Sequence, residues 1–248
     1  SSEQVKEYFR KPGTVATWWN PTEGDLAHIY KNQMQIIKQW LEIEKHGQCL
    51  EVSCGKGRAT PILSQICDTY LATDISPEMI SIARQHCPAV NFAQEDAEHL
   101  SQRSGTFDAV VCLEALVHYP NPEKALKEFN RVLRTGGILI VDSDNRYSLR
   151  RFFKRAHATL KGSVEFGSEI FMPYSKSYFS AMLESSGFQI ERFKYLGVIS
   201  PIRLRTNGGP LYLITPEASK MASHLPFDEI PILRNLATYH LALARKRS

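Results

Sequence analysis

The chain has 248 residues, 43% apolar and 23% charged, the composition of one ordinary globular domain or of a domain with a sizeable insertion. Its net charge of +4 is too small to mark a nucleic-acid surface by itself, and no apolar run reaches the ~18 residues of a membrane-spanning helix. The five cysteines (Cys49, Cys54, Cys67, Cys87, Cys112) form no C-x-x-C pair, so their spacing gives neither a zinc site nor a disulfide framework. Cys49, Cys54 and Cys112 read as small hydrophobes of a reducing, cytoplasmic protein. Ser1 to Phe9 lacks the basic-then-apolar order of a secretory leader.

In chain order, Asp25–Lys45 reads as one amphipathic helix, with Ile29, Ile36, Ile37, Trp40 and Leu41 near helical period. Five apolar runs follow: Cys49–Ser53, Tyr70–Thr73, Val90–Ala93, Ala109–Leu113 and Ile138–Val141. Helical patterns at about Ala59–Ile66, Pro77–Cys87 and Glu123–Leu133 separate them. This alternation predicts a parallel, doubly wound sheet, and continuous apolar strands predict helices on both faces. Ser76 before Pro77 and Glu78 supplies a cap, a first-turn proline and a first-turn acid. Thr135-Gly136-Gly137 ends the helix at Leu133–Arg134 and turns into the next strand.

Past Ser143 the pattern changes. Leu149, Phe152, Phe153, Ala156 and Leu160 form an apolar stripe beside Arg150, Arg151, Lys154 and Arg155. Two readings stay open: a helix packed by its stripe with a solvated basic face, or cations that receive an anionic partner. Ser177–Ser186 is a helix closed by Gly187, Gln189–Val198 a strand, Pro201–Pro231 a turn-rich stretch, and Tyr239–Arg245 a final strand.

The chemistry concentrates at strand ends. Leu50-Glu51-Val52-Ser53-Cys54-Gly55-Lys56-Gly57-Arg58 is a strand entering a glycine turn, where backbone can approach a ligand closely. Glu51, Asp74 and Asp96 end successive strands, where open α/β sheets bind their ligands. Acids there can accept hydrogen bonds from ribose hydroxyls and an amino group.

LEVSCGKGRAT, LATDISPEMI, FAQEDAEHL, FDAVVCLEALVHYP and LRTGGILIVDS, in this order, resemble the class I S-adenosylmethionine methyltransferases, especially the ubiquinone/menaquinone-type small-molecule group. The resemblance covers Cys49 to Ser143. It implies a Rossmann-like, seven-stranded, mostly parallel sheet whose last strand is antiparallel, with a helical N-terminal lid and an insertion before that last strand. The corresponding division is a lid at 1–46, a cofactor-binding core at 47–144, and an acceptor-side cap with C-terminal strands at 145–248.

The resemblance further implies S-adenosylmethionine as cofactor. Gly55 and Gly57 would lie under its methionine and ribose, Glu51 would face the amino group, and Asp74 would take the ribose hydroxyls. Ile75 and Met79 would flank the adenine, Asp96 would accept its amino hydrogen, the Ala97 N–H would meet a ring nitrogen, and the Leu113 carbonyl would meet the methionine end. Glu51 stands where the family usually has Asp, and Ser53 where it has Gly. Ser53 is expected in ordinary extended backbone.

His118, five residues past Leu113, is the candidate general base or else a structural histidine. Tyr8, Trp18, Trp19, Asp144, Asn145 and Tyr147 are candidate acceptor-lining residues or else core packing. No metal is called for. The expected partner is a small or mid-sized organic molecule that is anionic, carrier-bound or lipophilic, methylated on O, N or C, and not nucleic acid. Two rivals remain. A nicotinamide dehydrogenase would need a small residue where Thr60 stands, and a non-catalytic cofactor-binding scaffold differs only in turnover.

Overall fold

The computed structural model describes residues 2–11, 24–43, 46–160, 171–206 and 209–247. A short helix α1 (Ser2–Arg10) and a long one, α2 (Ala27–Glu42), precede the sheet. Strand and helix then alternate: β1 (His46–Val52), α3 (Thr60–Leu63), β2 (Cys67–Asp74), α4 (Pro77–His86), β3 (Asn91–Gln94), β4 (Phe107–Cys112), α5 (Pro122–Val132) and β5 (Leu133–Asp144). The remainder is α6 (Leu149–Leu160), α7 (Lys176–Ser185), β6 (Phe188–Leu196), β7 (Ile202–Thr206), β8 (Gly209–Ile214), α8 (Pro216–Ala222), α9 (Pro231–Arg234) and β9 (Tyr239–Lys246).

Seven strands form one sheet in the order β3-β2-β1-β4-β5-β9-β6. The first five run parallel, and β9 enters antiparallel between β5 and β6. The order reverses at β1, so the cleft beyond the carboxyl ends of β1 and β4 is the ligand-binding switch point. Successive strand residues feed opposite cores. Cys49, Ala109, Val111 and Ile140 pack beneath Ile37, Leu41, Ile80 and Ala83. Leu50, Val110, Cys112 and Leu139 pack beneath Leu126, Phe129, Phe179 and Leu183. Each fully buried Ile, Leu or Phe stabilises the fold by about 1.5–3 kcal/mol.

The expected Ser76 cap is present, and Asn121 supplies a second. Ser76 accepts from the Met79 N–H (3.4 Å) and Asn121 from the Lys124 N–H (3.0 Å), each before a first-turn proline.

Several expectations need correction. The long N-terminal helix belongs to the core rather than to a lid: Ile37 and Leu41 of α2 are almost wholly buried against the sheet. The Thr135-Gly136-Gly137 turn lies within β5 rather than ahead of it: β5 begins at Leu133 paired with Phe107, and its register slips before Ile138, with Gly136 left-handed (φ 75°). The insertion before the last strand is not merely turns, since β7 and β8 form an antiparallel hairpin followed by α8. Cys49 and Cys67 are joined as a disulfide, with Cα atoms 6.2 Å apart, while Cys54, Cys87 and Cys112 are free and buried. Cysteine usage therefore gives no argument for a reducing compartment. Among the described residues, no helix is long and apolar enough to cross a membrane.

Candidate active site at the carboxyl edge of the sheet

The turn after β1 departs from the sequence expectation at its first residue. Ser53 is left-handed (φ 58°), not extended, a conformation costing a residue with a Cβ about 1–2 kcal/mol. Its hydroxyl lies 2.7 Å from the Tyr119 phenol, which is also 3.3 Å from the Cys112 thiol. That buried hydrogen bond offsets part of the cost and explains how Ser occupies a position suited to Gly.

The two glycines separate in role. Gly55 (φ 54°) faces open space, where an added Cβ would meet nothing within 4 Å. Gly57 (φ 75°) lies against α4, and a Cβ there would come 3.1 Å from the Ala83 Cβ. Gly57 is thus required by close helix packing, and Gly55 leaves open space beside its backbone.

Asp74, at the end of β2, holds this turn. Its Oδ2 accepts from the Gly55 N–H and its Oδ1 from the Ser76 N–H, both at 2.9 Å. Burial pushes its pKa up while these backbone donors oppose the shift. Glu51 is deeper, only 4% exposed. The Thr60 and Tyr70 hydroxyls both donate to its Oε2, at 2.6 and 3.0 Å. Burial raises Glu51 to about 7 against those two hydrogen bonds.

On the adenine side, Met79 and Ala97 are buried and Ile75 half-buried. Asp96 has a partner that the motifs did not reveal. Lys6 of α1 places its Nζ 2.8 Å from Asp96 Oδ2 and 2.7 Å from Glu98 Oε2. Burial works against the charges of both Lys6 and Asp96, yet their pairing raises the lysine and lowers the aspartate. α1 is thereby pinned beside the adenine acid. A lone lysine in a nine-residue helix carries no sequence signal of this.

Beyond β4 lies Leu113, buried, and then Glu114, left-handed (φ 55°). Glu114 pairs with Arg58 of the glycine turn at 2.9 Å, and the Arg58 guanidinium sits over the Tyr30 ring. The Glu114 N–H donates to Asp142 (2.6 Å), which also accepts from the Gln33 amide. Burial, then Glu114, push Asp142 up to about 8. This buried polar joint ties α2, the glycine turn and β5 together at the methionine end.

His118 ends a short 3-10 turn (Leu116–His118), half-buried, with its ring 5.4 Å from both Phe9 of α1 and Phe171. Tyr8 is half-buried beside Phe9. Trp18 and Trp19 lie outside the described residues. Asp144 ends β5, and burial, then Glu114, raise it to about 7 against Arg151, Arg150 and Lys154. Asn145 is buried, and its amide donates to the Asn235 and Ala237 carbonyls, both at 2.8 Å. Its side chain thus fastens the β5 end to the loop before β9. Tyr147 is 65% exposed.

α6 fits neither reading of its faces cleanly. Leu149 and Phe153 of the stripe are half-buried, but Phe152 is 64% exposed and Ala156 is exposed, and of the basic residues Arg155 is exposed while Arg150, Arg151 and Lys154 are half-buried.

With this geometry in view, the comparisons are informative. Residues 50–141 match the Methyltransferase domain family. That segment spans β1 to β5 and contains Glu51, Gly55, Asp74 and Asp96. A ubiquinone biosynthesis O-methyltransferase of Coxiella burnetii is 29% identical over 149 residues, 57% of this chain and 63% of that protein. The chain thus spans less than two thirds of the curated relatives it matches first. Magnesium protoporphyrin IX methyltransferase from Synechocystis PCC 6803, solved with bound SAH, superposes with a TM-score of 0.63 over 100% of both chains at 16% identity. The cyclase SpnF gives a TM-score of 0.63 over 93% of this chain and 85% of its own at 17% identity. Such distant structural likenesses show the fold alone.

Proposed function

We propose that the protein is an S-adenosylmethionine-dependent methyltransferase acting on a small or mid-sized organic acceptor. The observation that carries this is the joint placement of an open Gly55, Asp74, and the Asp96-Ala97 step along the carboxyl edge of β1, β2 and β3, within the segment that matches the family. The residues fit the cofactor's parts. Gly55 leaves room for it, Asp74 retains lone pairs for ribose hydroxyls beyond its two backbone donors, and Glu51, whose hydroxyl donors both sit on Oε2, keeps Oε1 as an acceptor for the methionine amino group.

Bound there, S-adenosylmethionine supplies a methyl group on an already cationic sulfur. The chain's own contribution is positioning and exclusion of water. α1 supports both: Lys6 anchors it at Asp96 and Glu98, and Phe9 lies on His118. His118 accepts the acceptor's proton where that acceptor is a hydroxyl or an ammonium, a role worth about 10²–10⁴-fold in rate. The name of the Coxiella relative supports an oxygen acceptor.

The test is single-turnover transfer of a labelled methyl group from S-adenosylmethionine to a panel of phenols, catechols and amines. Label appearing on an acceptor oxygen is the expected result. No transfer to any of them, together with stabilisation by NADH instead of S-adenosylmethionine, contradicts the reading.

A further inference from the structure

α6 carries its cations inward. Arg150, Arg151 and Lys154 are half-buried while Phe152, one position further on, stands out in solvent. Half-burying three cations on one helix face is unfavourable unless something answers their charge. Among the described residues, none of the three makes an ion pair with a carboxylate within 4.0 Å, and the buried Arg150 Nε has no hydrogen-bond partner. Asp144 and Asp25 act on Lys154 only at longer range, two acids against three cations, and burial disposes Asp144 to hold its proton near neutrality. Burial and the two arginines push Lys154 down to about 8.

The location is specific. α6 leaves the carboxyl end of β5 after a five-residue step, the side on which an acceptor must meet the cofactor. The Arg151 guanidinium lies 4.7 Å from the centre of the Phe171 ring, and that ring is 5.4 Å from His118. A chain of contacts therefore runs from the cations through one aromatic ring to the candidate base. Cations serving an acidic protein or a lipid surface would stand exposed, whereas these are half-buried and Arg151 lies over the Phe171 ring.

We propose that Arg150, Arg151 and Lys154 form a site for an oxyanion, a carboxylate or phosphate, carried by the methyl acceptor itself. This deepens the methyltransferase reading and rests on it for the word acceptor, but the anion site is testable without turnover. The probes are inorganic phosphate and benzoate, added to the full chain with and without S-adenosylhomocysteine. The readouts are thermal melting and the rate at which an amine-acylating reagent modifies Lys154, followed by peptide mass spectrometry. Sodium chloride at matched ionic strength controls for general screening.

The expected result is that phosphate or benzoate, whichever carries the matching group, slows Lys154 acylation several-fold and raises the melting temperature. Arg150→Gln with Arg151→Gln should remove that protection while the shift caused by S-adenosylhomocysteine persists. Lys154→Gln alone should raise the melting temperature of the anion-free protein by relieving repulsion, a result available even if the double variant does not fold. Equal protection by chloride, protection undiminished in the double variant, or no protection by either anion overturns the site. So does protection only by phosphatidylglycerol vesicles, which would make the occupant a membrane surface. Loss of the S-adenosylhomocysteine shift in the unmodified protein would instead break the methyltransferase reading, and leaves the anion result standing by itself.

Discussion

The cofactor edge and the acceptor edge of this sheet are built differently. At the cofactor edge, Asp74 and Glu51 are held by groups near them in sequence or on the neighbouring strand, and Asp96 alone of the three acids is held from afar, by Lys6 90 positions away. Asp74 takes N–H groups two and 19 positions away, and Glu51 takes a hydroxyl nine positions away. At the acceptor edge, the ties cross the molecule: Asn145 reaches Asn235 over 90 positions and Ala237 over 92. Local wiring leaves a pattern in the sequence, and distant wiring leaves single residues with no pattern. Under the proposed function the comparison also divides labour, with one edge for the cofactor and the other for what receives the methyl group.

The largest effect that separates the edges belongs to His118. His118→Ala should lower turnover by about 10²–10⁴-fold on a hydroxyl acceptor, with S-adenosylhomocysteine affinity unchanged by calorimetry. Unchanged turnover across pH would leave positioning as the mechanism and His118 as part of the aromatic wall with Phe9 and Phe171.

A second effect concerns the buried charge of the cofactor edge. Glu51 is raised from 4.5 to about 7 by burial, so its folded form prefers the proton. The stability linked to that preference, about 3 kcal/mol at most, is fully present below the unfolded pKa and is lost as pH rises through about 7. His240, lowered by burial from 6.5 to about 4, opposes this loss up to about pH 6.5, and Lys154, lowered to about 8, opposes it only above that value. The melting temperature of Glu51→Gln should therefore gain on that of the unmodified protein as pH rises from about 4.5 to about 7, and no further above it, so that Glu51→Gln flattens any fall in that range. An equally steep fall in Glu51→Gln would assign it to Asp142 and Asp144, also raised by burial, to about 8 and about 7.

The smallest effect is at Ser53. Ser53→Ala keeps the left-handed cost and loses the Tyr119 hydrogen bond, a destabilisation of about 1 kcal/mol. Ser53→Gly loses the bond but relieves the backbone, so urea unfolding should place it within about 1 kcal/mol of the unmodified protein. A Gly variant less stable than the Ala variant would mean that the phenol contact, not the backbone, governs this turn.

Much of the architecture was legible because strand and helix periods, proline-capped helix starts and acids at strand ends are short-range signals. Five strands, the two C-terminal strands and the cap at Ser76 follow from them. The failures have a common physical origin. Ser53 was expected extended because nothing in its neighbourhood announces Tyr119, 66 positions away. Gly57 was assigned to the ligand, yet only the packing of Ala83 reveals its role. Cys49 and Cys67 come together through strand register, which spacing alone does not encode. The apolar stripe of α6 suggests a solvated basic face, yet Phe152 is exposed and Arg150, Arg151 and Lys154 are half-buried, which the helical period alone does not encode. Lys6 and the Arg58–Glu114 pair were missed for the same reason.

The central claim is that Asp74 and its glycine turn hold S-adenosylmethionine independently of the acceptor edge. Calorimetric titration of S-adenosylhomocysteine into the unmodified protein, Asp74→Ala and Lys154→Gln tests it most directly. The account predicts micromolar binding to the first and last, and roughly 100-fold weaker binding to Asp74→Ala, the loss of about two charge-assisted hydrogen bonds. Binding to Asp74→Ala as tight as to the unmodified protein, or no binding to any of the three, would contradict it.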